Sequence, residues 1–537
     1  MTMSSDRETA HNGQRQPENV CYWTMHQSLR VNPDSLKDVN VSVIRKKAES
    51  GDPLFQEMMA HLYYEGVKVC KDRIKAQEWY RKAAEQGNIS AQYNLASLDF
   101  GDKSQLSRDE KCRWLTSAAN MGHVEAQYRL GVGYKEGIDL VADHAAAVHW
   151  FTKAAEADHD MAQLNLGRMY ELGESVAQDK VEACRWYRRS AEQGNARAKA
   201  VLSTVYLSEH ASLRNPAEGL RLLREAAEMG DCQAQFRLGL EFRLGDNGLE
   251  VDLGRAMVWL RKAADQGHAD AQCFVGQCFR DGQGVDLDVE QAAAWFRKAA
   301  EQGMAEAQFH LGQILNSQSL SVGPRASPEA VKWIRMAAEQ GYALAQCGLA
   351  ELHLNGDGGE MDLKESAAWI RKAAAQGLPV AVHTMAMMLY SGIGLSQDRP
   401  EAVRLIAQLM EREHAATKDK DMTEYVRGES HAFMAQALLT GQDVAMDVRA
   451  GMRHLRLAAE LHHALSQTRL GGLYLVGEGV PQDSRKGITW LRRAAAQGDP
   501  MAEASKKLEF AAGSDGLGRM VGKALLEAVR GDAEAQC

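Results

Sequence analysis

The segment AQLNLGRMYELGESVAQDKVEACRWYRRSAEQG, residues 162–194, decides the fold because it contains two helical patterns in succession. The first places apolar or small residues at i, i+4, i+5 and i+8, a helical stripe rather than the alternation of a strand. The second, seen also as KAQEWYRKAAEQG at 75–87, places them at i, i+3, i+4, i+7 and i+8. The segment therefore predicts a pair of helices, which we name the A helix and the B helix.

Tryptophan recurs along the chain at the period of this segment. Nine of the ten tryptophans fall on one lattice, at spacings of 35, 36, 36, 73, 36, 38, 36 and 121 residues. They are Trp79, Trp114, Trp150, Trp186, Trp259, Trp295, Trp333, Trp369 and Trp490. Leu222, Leu405 and His454 fill the three vacant points, so the lattice predicts twelve units of ~36 residues, a period typical of helical repeats.

Capping residues follow the same period. An Asp stands seven residues before the lattice point in nine units, and Asp109 is displaced by two in a tenth. The nine are Asp72, Asp143, Asp179, Asp252, Asp288, Asp362, Asp398, Asp447 and Asp483. Each is placed to cap the first turn of a B helix, and the Gly after most B helices suits a left-handed turn. No strand or hairpin signal accompanies them, so the predicted fold class is all-α.

One interpretation of the lattice tryptophans is a row of exposed rings against which a ligand stacks. They lie among the alanines of the B helix, where small residues let neighbouring helices approach while large rings fill the space between them. We therefore expect these rings to form the core.

The repeated pattern A-Q-x-x-L-G-x-x-Y-x-x-G-x-G-V-x-x-D-x-x-K-A-x-x-W-Y-x-K-A-A-E-Q-G resembles the Sel1-like repeat, a relative of the tetratricopeptide repeat with a longer interhelical loop. The resemblance covers about residues 43–512. It implies an α-solenoid superhelix of about twelve helix–loop–helix repeats, with the A helices lining its inner face. Proteins similar in these repeats are adaptors and scaffolds in bacterial signalling, envelope-polysaccharide control, host interaction and eukaryotic protein quality control.

The lattice also sets the expected domain boundaries. We expect a disordered polar tail, an N-terminal capping helix, the repeat array, a charged insertion, the continued array, and a C-terminal capping helix with a tail. Their ranges are 1–33, 34–51, 52–410, 411–430, 431–512 and 513–537. The insertion adds about 13 residues to the ~36-residue period, and a lengthened helix with a charged loop accounts for it more simply than a hinge does.

Composition excludes several classes of protein. The 537 residues carry a net charge of −9 and a pI near 6.1, which argues against binding to nucleic acid. No stretch approaches the ~18–20 apolar residues of a membrane span. The first 20 residues lack the basic start and apolar core of a signal peptide. The chain has nine cysteines, an odd number without regular spacing, which fits free thiols better than a set of disulfides. We therefore expect a cytoplasmic protein.

The candidate motifs for cofactor or metal binding are incomplete. GLGRMVGKA at 516–524 lacks the first Gly and the hydroxyl of a phosphate-binding loop, since Leu517 and Ala524 stand in those places. His268, Cys273 and Cys278 do not converge on a helix as metal ligands would. The sequence therefore predicts no enzyme, no metal, no cofactor and no small-molecule substrate.

The variable positions of the A helices remain as a binding surface. By analogy with tetratricopeptide arrays, the inner-face positions include those one residue after the A-helix Gly or its small replacement, namely Ser97, Val132, Arg168, Thr204, Leu240, Gln277, Gln313, Glu351 and Met387. The residues that we single out for partner binding are Arg168, Arg243, Arg280, Gln277, Gln313, Glu351, Lys135 and Asn316. Arginines and glutamines in this arrangement would suit an extended acidic peptide, because guanidinium groups bind carboxylates in a bidentate manner.

The function expected from these observations is that of a non-catalytic adaptor or scaffold. It would bind protein or peptide partners on the concave face of a repeat superhelix, in bacterial signalling or regulation. The alternative is a host-directed virulence factor or envelope-associated factor that is exported without a classical signal peptide.

Overall fold

A computed structural model describes residues 40–98, 106–208, 213–320, 326–357, 361–415, 423–441, 444–500, 502, 520 and 522–527. Every regular element in those ranges is a helix, and none is a strand. The described chain divides into two compact units, residues 1–250 and 251–537. This confirms the prediction of an all-α solenoid built from helix pairs.

Unit 1 contains α1–α12 and ends with a short 3₁₀ turn at Asp246–Gly248. The helices are α1 Val41–Glu49, α2 Pro53–Glu65, α3 Arg73–Glu85, α4 Ile89–Ser97, α5 Arg108–Asn120, α6 Val124–Glu136, α7 His144–Glu156, α8 Asp160–Leu172, α9 Lys180–Glu192, α10 Ala196–Leu207, α11 Pro216–Glu228 and α12 Cys232–Leu244. Each helix packs against the helices before and after it in the unit.

Unit 2 contains α13–α25, which stack in the same manner. They are α13 Leu253–Asp265, α14 Ala269–Asp281, α15 Val289–Glu301, α16 Ala305–Leu320, α17 Pro328–Glu339, α18 Ala343–Asn355, α19 Leu363–Ala375, α20 Pro379–Ser391, α21 Arg399–Ala415, α22 Glu424–Thr440, α23 Val448–Glu460, α24 Ala464–Val476 and α25 Ser484–Ala496. In both units the even-numbered helices are A helices, and the odd-numbered ones from α3 onward are B helices.

Side-chain caps begin the B helices where the sequence predicts them. All nine lattice aspartates accept hydrogen bonds from first-turn backbone N–H groups. For the tenth unit the sequence predicts Asp109 as the cap of α5, and this prediction is wrong. Ser107 caps that helix instead, and its Oγ lies 3.1 Å from the Glu110 nitrogen. Ser107 stands seven residues before Trp114, so the capping position follows the lattice and only the residue type differs.

The core depends on the residue that follows each tryptophan, which corrects our expectation for the tryptophans themselves. Only Trp150, Trp295 and Trp369 are buried, whereas the other six lattice indoles are half-buried. Basic side chains three residues further along cover several of them, as Lys298 does with its Nζ 3.7 Å from the Trp295 ring centre. The fully buried rings are those one position later, namely Tyr80, Phe151, Tyr187 and Phe296.

Glycine in the A helix makes room for these buried rings. A Cβ added at Gly167 would lie 2.6 Å from the Tyr187 ring, and one added at Gly276 would lie 2.9 Å from the Phe296 ring. No side chain fits at such distances, so the L-G of the A helix and the aromatic residue of the B helix form one packing unit.

Buried glutamines join neighbouring repeats. In nine repeats the Gln at this A-helix position donates from Nε2 to a backbone carbonyl of the preceding helix, over 2.8–3.2 Å. That helix is α1 for Gln56 and a B helix for the other eight. In six of those repeats its Oε1 accepts from the Gln after the following B helix, over 2.7–2.9 Å. Both glutamines of the motif A-Q…E-Q-G therefore have a structural role, which sequence analysis missed.

Replacing Met121 by glutamine should stabilise the second repeat. Met121 stands where other repeats have the second glutamine, and the buried Gln92 Oε1 finds no hydrogen-bond partner among the described residues. The side-chain amide that Met121→Gln introduces would satisfy that oxygen, so we expect the free energy of unfolding to rise by about 1 kcal/mol. Urea unfolding measures the change. Met121→Leu is the matched control, and an equal gain in that variant would contradict the explanation.

Several predicted segments fall partly or wholly outside the described residues. The tail at 1–33 lies outside them entirely. Of the predicted capping segment 34–51, α1 is described, and its Ile44 and Ala48 pack against α2. The two helices that flank residues 416–422, α21 and α22, each run for 17 residues instead of the usual 13. Residues 522–527 are helical, and Leu526 packs among the leucines of α24.

Candidate functional site on the A helices

The candidate residues from the sequence lie on A helices of both units. In unit 1, Arg168 is exposed on α8, whereas Lys135 on α6 and Arg243 on α12 are half-buried. Lys135 Nζ lies 3.5 Å from the neighbouring Glu136 carboxylate. Arg168 is therefore the member of this set whose side chain is most open to solvent.

In unit 2 the structure gathers three candidates around two residues that sequence analysis did not identify, Glu306 and His310. Gln277 on α14 donates from Nε2 to Glu306 Oε1 over 2.9 Å. Arg280 Nη1 lies 3.1 Å from His310 Nδ1, and Gln313 lies one turn after His310 on α16. On the other ring nitrogen, His310 Nε2 lies 3.7 Å from Glu306 Oε1.

The carboxylate that we expected a ligand to bring to Arg280 is supplied by the chain itself. Asp281 accepts from Arg280 in a bidentate manner, over 2.7 and 2.9 Å, and this contact raises the pKa of Arg280. The contact with His310 lowers the pKa of Glu306, and burial of Glu306 opposes that shift. The cluster is thus an internally paired network that ties α14 to α16.

The last two candidates do not join this network through any described contact. Asn316 is half-buried on α16, and its Oδ1 finds no hydrogen-bond partner among the described residues. Glu351 is exposed on α18. Burial, with a smaller contribution from the Glu351 charge, raises the pKa of the Cys347 thiol to about 11, so this thiol is unreactive at neutral pH.

A groove in unit 1 opens between the A helices of two successive repeats, α10 and α12. Its volume is about 380 Å³. Thr204 and Leu240, two inner-face positions predicted from the sequence, both line it. Arg197 and Arg237 stand at its rim, but the repeat pattern marks their positions only as variable. The sequence thus predicted the face on which the groove opens, and the charges at its rim became visible only in the structure.

Histidines concentrate in the last repeats and predict acid sensitivity. Burial lowers the pKa of His383 and His463, and the Glu429 charge opposes both shifts. His431 and His454 place their Nδ1 atoms 2.9 Å apart, so only one of the two can carry a proton there. In the folded chain, His383 and His463 therefore bind fewer protons than in the unfolded chain, where the ordinary pKa of histidine is about 6.5. Their contribution to stability is complete above that pH and falls as the pH drops below it.

Replacing His463 by asparagine tests this sensitivity. His463 caps α24 with Nδ1 3.1 Å from the Ser466 nitrogen, and Asn88 and Asn195 provide the same cap in other repeats. The variant therefore keeps the cap and removes one titrating group. We expect its urea midpoint to fall less between pH 7.5 and pH 5.5 than that of the wild type. Equal falls in both proteins would contradict the assignment.

No described helix has both the length and the apolar character that crossing a bilayer requires. No group of three or more potential metal ligands converges among the described residues.

Helix pairs joined by buried glutamines, and packed by an aromatic ring against a glycine, place the chain in the class of α-solenoid repeat proteins. The Sel1 repeat model matches it in twelve segments, and the chain belongs to the Sel1 repeat family. The segments are 53–88, 89–123, 124–159, 160–195, 198–231, 232–268, 269–304, 305–342, 343–378, 379–408, 428–463 and 464–499. The twelve units predicted from the tryptophan lattice are confirmed.

One solved structure supports the same classification. The chain is 28% identical to c5321, a protective antigen present in uropathogenic Escherichia coli strains that displays an SLR fold. That match covers 92% of this chain and 94% of c5321, with a TM-score of 0.64. A Sel1 repeat protein from Oxalobacter formigenes is 30% identical over 60% of this chain and 89% of its own, with a TM-score of 0.44. A search of curated proteins found no match.

Proposed function

We propose that this chain is a non-catalytic adaptor that binds protein or peptide partners through the exposed side chains of its A helices, in bacterial signalling or regulation. Solenoids of Sel1 and related repeats generally mediate protein–protein interactions and are typically scaffolds. The supporting observation is that the recurring residues of the repeats are used in packing, whereas variable residues of the A helices are exposed. The Gln and Gly of the A helix, and the aromatic ring that follows the lattice tryptophan, are buried in packing, whereas Arg168, Gln313 and Glu351 are exposed on A helices.

Affinity capture of a tagged full-length chain from its native cell tests this function. Arg168→Glu and Glu351→Lys reverse exposed charges on A helices, and Arg185→Glu and Glu290→Lys are matched reversals at exposed positions of B helices. We expect at least one A-helix variant to recover a partner about tenfold less well, and both B-helix variants to recover it as the wild type does. Two results would contradict the proposal. In the first, both A-helix variants recover the partner as well as the wild type does, and in the second, only a B-helix variant loses it.

Cytoplasmic localisation belongs to the same proposal, and one observation favours the alternative of an exported factor. The relative c5321 is a protective antigen, and it matches this chain over nearly its whole length. Cell fractionation of the full-length protein, beside a variant that lacks residues 1–33, separates the two. The adaptor proposal expects both proteins in the cytoplasm. Full-length protein outside the cell, with the shortened variant retained, would favour export.

A further inference from the structure

The groove between α10 and α12 combines an apolar floor with a cationic rim. Ala200, Val201, Leu223, Phe236 and Leu240 form the floor, and Leu223 is only 1% exposed. Arg197 and Arg237 provide the rim. None of the ten described residues that line the groove is acidic, although the chain as a whole carries a net charge of −9. The lining of the groove therefore carries two cationic side chains and no acidic one.

The two rim arginines are partly exposed to solvent, and each forms an ion pair with a nearly buried carboxylate. Arg237 Nε lies 3.4 Å from Glu241 Oε1, and the exposed fractions of the two side chains are 38% and 7%. Arg197 Nη1 lies 3.6 Å from Asp231 Oδ2, with exposed fractions of 45% and 9%. The carboxylates are nearly buried, whereas more than a third of each arginine side chain is exposed to solvent. A guanidinium has five N–H donors, and each of these ion pairs engages only part of that set.

We infer that this groove binds an acidic peptide segment of a partner protein, with one bulky apolar side chain seated between α10 and α12 and flanking carboxylates on Arg197 and Arg237. The inference rests on the proposed adaptor function and specifies where one partner segment binds. Charge complementarity selects the acidic residues, since charge-assisted bonds from arginine to a carboxylate are stronger than neutral ones.

The apolar floor supplies the second requirement of the site. A volume of about 380 Å³ lies at the lower end of the range for ligand pockets, so it holds a side chain rather than a domain. Burying an apolar side chain against Val201, Phe236 and Leu240 removes apolar surface from water, which favours association. Affinity therefore requires both parts of the segment, since either alone would engage only half of the site.

Panning a random dodecapeptide library on the full-length chain tests the inference. We expect the enriched peptides to contain one Leu, Phe or Trp beside two or more Asp or Glu. For a synthetic peptide from that set, Arg237→Gln should weaken binding about tenfold. Thr204→Trp should weaken it at least as much, because Thr204 is exposed at the rim and an indole there fills the groove while both arginines remain.

Arg185→Gln is the matched control. Arg185 is 72% exposed on a B helix and pairs with Glu182 over 2.9 Å, so this variant loses the same charge from another face. Its affinity should equal that of the wild type, and circular dichroism should show the same helicity in all variants. No enrichment, or enriched peptides whose binding survives both Arg237→Gln and Thr204→Trp, would overturn the inference. The adaptor function would stand in that case, provided that the captured partner still depends on other A-helix positions.

Discussion

Replacing Phe296 by alanine is expected to lower the free energy of unfolding by about 3–5 kcal/mol. Phe296 is fully buried between repeats, and its ring lies over Gly276, where an added Cβ would be 2.9 Å from two ring carbons. Truncation removes the apolar contact and leaves a cavity that the glycine cannot fill. Urea unfolding followed by circular dichroism measures the loss. Leu287→Ala, at a side chain that is 64% exposed, should change stability by less than about 0.5 kcal/mol.

A double-mutant cycle with Gly276→Ala tests the packing unit itself. Alone, the added methyl group collides with the Phe296 ring and should cost about 1–3 kcal/mol. In the Phe296→Ala background the same methyl group enters the vacated space, so the combined loss should be smaller than the sum of the two single losses. Strictly additive losses would show that the glycine and the ring do not form one unit.

Replacing Gln272 by leucine should cost about 1–3 kcal/mol, although the substitution adds apolar surface to a buried position. Gln272 is 5% exposed, donates to the Ala264 carbonyl over 3.0 Å and accepts from Gln302 Nε2 over 2.7 Å. Leucine leaves that carbonyl at the end of α13 without its side-chain donor. Gln302 is exposed, so its amide returns to water at little cost.

The matched variant, Gln302→Leu, leaves only the Gln272 Oε1 unsatisfied, as Gln92 Oε1 is in the second repeat. We expect it to cost about 1 kcal/mol, and we expect the double variant to cost less than the sum of the two single variants. A stabilising Gln272→Leu substitution would show that the glutamine is dispensable to the contact between repeats.

The repeat and its caps could be predicted from sequence because both follow from local periodicity. The helix period, the aspartate seven residues before the lattice point in nine units and the glycine after most B helices are all short-range features. The glutamine pairing could not be predicted, since Gln272 and Gln302 are 30 residues apart and only the packing of the helices brings their amides together. The full burial of Tyr187, beside a half-buried Trp186, is of the same kind, because adjacent positions on one helix stripe differ only in the angle at which they meet a neighbour.

The sequence predicts on which face the candidate site lies, but it does not predict which of the charged side chains are paired within the chain. Thr204 and Leu240 were assigned to the inner face from their position after the A-helix Gly or its replacement, and both line the groove. Arg280 was assigned to a ligand carboxylate, but the adjacent Asp281 is its bidentate partner. Which charges are paired within the chain and which face solvent depends on side-chain geometry, about which a repeat pattern carries no information.

Site-specific photocrosslinking in the native cell tests the central claim most directly. A benzoylphenylalanine placed at Thr204 or Gln313 probes the A helices of units 1 and 2, and one placed at Arg185 or Arg261 probes exposed positions of their B helices. We predict covalent adducts with a partner protein from at least one A-helix position and from neither B-helix position. Adducts that form only from the B-helix positions would contradict the account.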